Sequence, residues 1–248
     1  MRNNISKISV LIPAYNEEAH IALCIEETVN AFLEFGYQFE IIVIDDGSVD
    51  DTYKKAIEKS GYYKNVFVKR NIVNFGKGRA LKKGFRYTTG DYIVFLDADL
   101  DLHPSQVKIF IDYMLQNNND VIIGSKRHPE SEIEYPPHRM IVSLVYFILV
   151  KLLFGLSIHD TQTGLKFFKR EVLKKVFPKV LVKKFAYDLE LLVLANHYGY
   201  KIAEAPVKLG FQRMLGSRIG FNAIWSTWWD TMAVFYRLYI LRYYDKVQ

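Results

Sequence analysis

The sequence predicts an α/β fold: a mostly parallel sheet flanked by helices, followed by C-terminal helices suited to a membrane interface. Short β-rich runs alternate with helical runs through the first half, and strands joined through helices lie parallel by right-handed crossovers. Two of those strands stop at acidic groups, Asp45-Asp46 and Asp97-Ala98-Asp99, and ligands of such sheets bind beyond the strands' carboxyl ends. Past Tyr135 the alternation gives way to long apolar, aromatic-rich stretches.

Ile8–Ile12 is a short strand ended by Pro13, and Glu17–Phe35 reads as a helix. Glu40–Ile44 is an apolar strand that stops at Asp45-Asp46-Gly47. Asp50–Ser60 is helical, with Asp50 and Asp51 near its start, where the helix dipole favours negative charge. Val66–Lys69 is a strand, Gly78–Thr88 a helix, and Tyr92–Leu96 a strand ending at Asp97. Pro104–Gln116 is a helix and Val121–Gly124 a strand. Pro136-Pro137 breaks the chain before the apolar run Met140–Ile158. Thr163–Phe168 is a strand, Glu171–Phe177 and Ala186–Tyr198 are helical, Ile202–Phe211 is extended, and Ile219–Tyr243 is an aromatic-rich helix.

A chain of 248 residues that is 50% hydrophobic and 15% aromatic can bury a large core, which excludes a disordered polypeptide. The net charge of +6 suits phosphate-bearing ligands, anionic lipid or nucleic acid without choosing among them. The single cysteine, Cys24, excludes a disulfide framework and a multi-cysteine zinc site, and fits a reducing compartment. Met1–Lys7 is polar and lacks the apolar core of a secretory signal.

The sharpest local signal is Phe95-Leu96-Asp97-Ala98-Asp99-Leu100-Asp101. Two carboxylates two residues apart at a strand end serve one site if the chain turns there, one meeting a ribose and the other a divalent cation. Mg²⁺ and Mn²⁺ take oxygen ligands and share them with substrate phosphates. An EF-hand loop started at Asp97 is excluded, because Leu102 and Lys108 stand where Gly and Glu are required. Alone, Asp-x-Asp is also an ordinary capping loop, and Asp45-Asp46-Gly47-Ser48 an ordinary turn. Two acidic strand ends in one parallel sheet predict a shared cleft for a nucleotide and its metal. Asn74-Phe75-Gly76-Lys77-Gly78-Arg79 opens a helix whose N–H groups suit phosphate. It is neither a Walker A loop nor a Gly-x-Gly-x-x-Gly fingerprint, since position 81 is Leu.

Taken together, Val10–Glu17, Ile44–Ser48 with Asp50 and Thr52, Gly76-Lys77-Gly78 and Asp97-Ala98-Asp99 resemble the family 2 glycosyltransferases, which have the GT-A fold. Ile123–Arg127, Asp160–Lys166 and Phe185–Leu192 are similar to the polyprenyl-phosphate branch. The resemblance implies that Pro13, Ala14, Tyr15 and Glu17 line the nucleotide, together with Asp45, Gly78 and Asp97, while Asp46 reads the base. It implies that Asp97 faces the ribose and metal, that Asp99 holds Mg²⁺ or Mn²⁺, and that Asp101, where mannose synthases commonly have Gln, is a further candidate ligand. Lys126, Arg127, Arg139 and Arg218 are candidates for gripping phosphate. Arg is the better bidentate partner.

The resemblance further implies inverting transfer of glucose or mannose from a UDP- or GDP-sugar to a polyprenyl phosphate, with no nucleic acid partner. A phosphate monoester has a second pKa near 6 and needs no protein base. An alternative acceptor, a saccharide or protein hydroxyl, would need one. Asp188 or Glu190, then Asp160, are the candidates, and Asp188 is counted with Asp97 and Asp99 as catalytic. The expected organisation is one domain, residues 1–248, with a nucleotide-binding half (1–134) and an acceptor half (135–248). Lys151 interrupts the first apolar run at a cost of about 2.5–3.5 kcal/mol at bilayer centre. Helices at 138–158 and 219–243 are therefore expected to lie in the interface, with Trp and Tyr at headgroup depth, on the cytoplasmic face of the membrane.

Overall fold

The computed structural model describes residues 5–132, 137–182, 186–209 and 221–246, and of 137–143 and 221–224 the backbone only. Strands β1 (Lys7–Ala14), β2 (Gln38–Asp45), β3 (Val66–Arg70), β4 (Tyr92–Phe95), β5 (Val121–Ser125), β6 (Lys166–Lys169) and β7 (Ile202–Pro206) form one sheet in the order β3-β2-β1-β4-β6-β5-β7. All neighbours are parallel except β6, which runs antiparallel to both β4 and β5. The α/β, mostly parallel expectation therefore holds. The reversal of β6 brings its first residue, Lys166, opposite Phe95 and Ile123, at the same sheet edge where β1, β2 and β4 end.

Alternate residues of the strands fill two cores, as the two-residue period of a strand requires. Val10, Ile12, Ile41, Val43 and Val94 face α1 (Ile21–Phe35), α2 (Thr52–Ser60) and α4 (Val107–Asn117). Leu11, Ile42, Ile44, Ile93 and Phe95 face α3 (Lys77–Phe85), α6 (Arg170–Val176), α7 (Tyr187–His197) and the buried sides of α5 (Pro137–Phe154) and α8 (Phe221–Phe235).

Several element ends differ from expectation. Helix α1 starts at Ile21, not Glu17, because Asn16 takes a φ of 54° and the Glu17 N–H donates to Thr52 Oγ1 at 2.7 Å. Helix α3 stops at Phe85 and α5 at Phe154, where Gly155 turns the chain at a φ of 64°. Strand β7 ends at Pro206, with a single further bridge from Glu132 to Lys208. The aromatic C-terminal helix is broken: α8 passes into a π-helical turn, Tyr236–Ile240, and then a short α9, Tyr243–Lys246. Among the described residues no helix is long and apolar enough to cross a membrane.

Candidate active site

Strands β1, β2 and β4 end side by side, and the segments leaving them line one cleft. Pro13, Ala14, Tyr15, Glu17, Asp46, Asn74, Gly76, Lys77, Asp97, Ala98 and Asp99 surround about 310 Å³. The cleft thus gathers Pro13, Ala14, Tyr15, Glu17 and Asp46, all expected at the nucleotide, beside both acids of the Asp-x-Asp. The turn that this motif needs falls at Ala98-Asp99, and Leu100, next along, takes a φ of 61°, a costly conformation for a bulky side chain. The Asp101 N–H donates to Asp99 Oδ1 at 3.1 Å and closes the turn, and Asp101 is not among the residues lining the cleft.

Lys77, at the start of α3, lies 2.5 Å from Asp97 Oδ1, and each side chain keeps about a third of its surface (33% and 36%). Burial works against the charge on Lys77, but Asp97, Asp188 and Asp99 outweigh it and hold its pKa above the ordinary lysine value. Burial likewise works against Asp97, and Lys77, then Lys166 and Lys126, hold its carboxyl below the usual range. Gly164, just before β6, lets the other oxygen of this carboxylate pack directly against the chain: a Cβ there would collide with Asp97 Oδ2. Asp97 and Asp99 both line the cleft, and carboxylate oxygens are the donors a hard divalent cation takes. No three His, Cys, Asp or Glu side chains gather around one point among the described residues.

The first acidic pair is occupied by the protein itself. Asp45 is fully buried and pairs with Arg70 Nε at 2.9 Å. Asp46 accepts from Asn71 Nδ2 at 2.6 Å and from the N–H groups of Phe75 and Gly76, at 3.1 and 2.7 Å, so it shapes the loop that walls the cleft. Gly78 is buried against the Tyr187 ring, where a Cβ would overlap the ring atoms. The missing side chain lets α3 and α7 touch.

Asp188 lies in the first turn of α7, its Oδ1 2.8 Å from the ammonium of Lys166. Lys166 carries no role in the sequence reading, where it falls inside the expected strand Thr163–Phe168; its partner stands 22 positions along the chain. Glu190 faces away from the cleft. It is fully buried and accepts from the N–H groups of Leu181 and Val182 at 2.8 and 2.7 Å. Its other oxygen accepts from the Tyr244 hydroxyl and pairs with Arg237 at 3.2 Å. Asp160 binds Thr163 Oγ1 at 2.6 Å and the Lys126 N–H at 3.3 Å, joining the loop before β6 to the end of β5. Arg127 follows, its N–H on Ser125 Oγ at 3.3 Å. Arg139 falls within α5, but its side chain lies outside the described residues, as does Arg218. Burial pushes the Cys24 thiol up to about 12, which removes it as a nucleophile.

Among the described residues, α5 and the C-terminal segment expose large apolar side chains, with Lys151 and Arg242 exposed among them. Val145 and Leu152 are exposed on one, Trp225, Trp229, Tyr236 and Ile240 on the other. The two pack through Phe154 and Phe235, with ring centroids 6.3 Å apart.

A family model described as Glycosyl transferase family 2 matches residues 9–177. A dolichyl-phosphate beta-glucosyltransferase of Trichomonas vaginalis is 31% identical over 242 residues, covering 93% of this chain and 74% of that protein. The Saccharomyces cerevisiae protein of the same description is 33% identical over 219 residues, covering 81% of this chain and 66% of that protein. Among solved structures, glucosyl-3-phosphoglycerate synthase from Mycobacterium tuberculosis, in complex with Mn²⁺, UDP and phosphoglyceric acid, superposes with a TM-score of 0.71 at 23% identity, covering 93% and 78% of the two chains. Mannosyl-3-phosphoglycerate synthase from Rubrobacter xylanophilus superposes with a TM-score of 0.74 at 16% identity, covering 98% and 76%. These two likenesses show the fold.

Proposed function

This chain belongs to glycosyl transferase family 2, and from that premise we propose that it transfers glucose, with inversion, from UDP-glucose to dolichyl phosphate at a membrane surface. The observation that carries the proposal is the single cleft at the sheet's carboxyl edge that holds Asp97, Asp99, Asp46 and Lys77 together. The acceptor follows the relatives, which are named for it. UDP-glucose follows from their glucosyl name and from the Mycobacterium tuberculosis enzyme of the same fold, which has been crystallised with UDP-glucose and Mn²⁺.

In this reading Pro13, Ala14, Tyr15 and Glu17 line the nucleoside, and Asp46 shapes the base pocket through Phe75 and Gly76. Asp45 supports it through Arg70, and Gly78 by letting Tyr187 approach. Asp97 and Asp99 would hold Mg²⁺ or Mn²⁺, with Asp101 acting through the N–H that fixes Asp99. The cation supplies charge neutralisation for the departing diphosphate. Lys77 stands ready to turn from Asp97 to a phosphate oxygen. Lys126, Arg127, Arg139 and Arg218 grip phosphate at the acceptor side. An acceptor phosphate oxygen attacks the anomeric carbon as the bond to UDP breaks, and the electron pair leaves on the diphosphate.

A dianionic phosphate needs no base, which suits the carboxylates present. Asp188 is paired with Lys166, Asp160 is held by Thr163 and a backbone N–H, and Glu190 faces away from the cleft. A hydroxyl acceptor would need one of them to take up a proton. We read the chain as one domain, its nucleotide half 1–134 and its acceptor half 135–248, with the apolar faces of α5 and α8 lying on the cytoplasmic leaflet. The test is a donor screen with UDP- and GDP-sugars, Mg²⁺ and Mn²⁺, with and without dolichyl phosphate. Transfer from UDP-glucose to the lipid is expected. Transfer only to a soluble hydroxyl acceptor overturns the reading.

A further inference from the structure

Lys166 is 1% exposed, so no ligand in the cleft reaches it. An unpaired buried ammonium is costly, by several kcal/mol. This one is satisfied by Asp188 Oδ1 at 2.8 Å and by the Thr163 carbonyl. Its place in the sheet is central: it opens β6 opposite Phe95, two residues before Asp97, and opposite Ile123, two residues before Ser125. Its partner sits in the first turn of α7, where neighbouring Tyr187 packs on Gly78, next to the cleft-lining Lys77. Asp188 keeps 12% of its side-chain surface, enough for one polar contact. The Lys166 contact leaves Oδ2 untaken, and an ionised carboxylate accepts hydrogen bonds and repels anions. The neutral hydroxyls of a nucleoside diphosphate sugar lie on its ribose and on its sugar; the ribose is assigned to the strand-end carboxylates, which leaves the sugar for Asp188.

We propose that Lys166 is a positioning residue that aims Asp188 at a hydroxyl of the donor sugar. The inference rests on the glycosyltransferase reading of the cleft. It predicts a specific split: Lys166 matters for the sugar and not for the nucleotide. The experiment is calorimetry of UDP and of UDP-glucose, each with Mg²⁺, on the wild type, Lys166→Met and Lys166→Arg. Lys166→Met is expected to bind UDP as the wild type does and UDP-glucose about ten-fold or more weakly, the worth of one hydrogen bond to a charged group. Lys166→Arg keeps the charge and is expected to recover part of the loss. Because Lys166→Met strands a carboxylate and its folding is at risk, Lys166→Met/Asp188→Asn, which removes both charges, is measured against Asp188→Asn. The two are expected to discriminate UDP-glucose from UDP equally, since Lys166 acts only through Asp188. Equal weakening of UDP and UDP-glucose in Lys166→Met or in the double variant overturns the positioning role, leaving a structural one. Failure of the wild type to bind either nucleotide overturns the functional reading itself, and the inference with it.

Discussion

The ammonium of Lys77 lies 2.5 Å from Asp97 Oδ1, a cation of the protein's own resting on the carboxylate proposed to meet the donor and its metal. An ion pair at this position keeps Asp97 ionised. It also sets up an exchange, because whatever binds Asp97 must displace Lys77 or hand it a new anion.

Lys77→Met separates those effects. With its competitor gone, Asp97 is expected to bind free Mn²⁺ more tightly in the absence of nucleotide. UDP, deprived of a charged donor, is expected to bind roughly ten-fold more weakly. Titration calorimetry reads both. Unchanged affinity for UDP would confine Lys77 to pairing with Asp97.

Asp46→Ala strands three donors, on Asn71, Phe75 and Gly76. A loss of about 1–3 kcal/mol in stability is expected, with a higher KM for the donor and a smaller change in kcat. Denaturant melts and steady-state kinetics on one preparation check it. Full stability with weakened nucleotide binding would make Asp46 a direct reader of the base.

Glu40 provides the pH-dependent case. Its side chain is 5% exposed and pairs with Lys7 at 2.8 Å, and it accepts from Ser9 Oγ at 2.6 Å and from the Thr89 N–H. Burial opposes its charge, but Lys7, Ser9 and Thr89 together hold its pKa below the ordinary 4.5. A depressed carboxylate stabilises the fold above its unfolded pKa, and that stability is lost as pH falls through the folded value. Glu40→Gln is therefore expected to cost about 1–3 kcal/mol near neutrality and progressively less below pH about 4.5. A difference in melting temperature that stays constant from pH 7 to pH 3 would contradict this.

Trp225 and Trp229 stand exposed beside each other, ring centroids 6.1 Å apart. Flotation on anionic vesicles is expected, with release by carbonate. Trp225→Ala/Trp229→Ala is expected to float poorly while its circular dichroism is unchanged. Undiminished flotation of the double variant would move the contact elsewhere.

How far the sequence can be read depends on whether a residue's partner is local. The apolar cores of β1, β2 and β4 and the acids that end them are local signals, and all appear where expected. The Asp-x-Asp spacing calls for a turn if Asp97 and Asp99 are to share a cleft, and it falls at Ala98-Asp99, but nothing in the spacing marks Leu100 as a residue at a positive φ. Lys166 is invisible to a linear reading because its meaning comes from β6 running against its neighbours. The C-terminal aromatic run carries no Pro or Gly to mark the π-helical turn at Tyr236. That break comes from tertiary contacts, with Arg237 and Tyr244 both drawn to Glu190.

Those contacts give α7 a mechanical character. Asp188 pairs with Lys166 at the start of β6, and two residues on Glu190 holds the C-terminal segment. That segment is further clamped where Lys179 Nζ and the Tyr198 hydroxyl both donate to the Tyr244 carbonyl, at 2.8 and 2.7 Å. A helix is stiff across half a turn, so the two carboxylates form the ends of one short lever. The outward aromatic face cannot tilt relative to the core without either breaking the Glu190 clamp or carrying Asp188 with it.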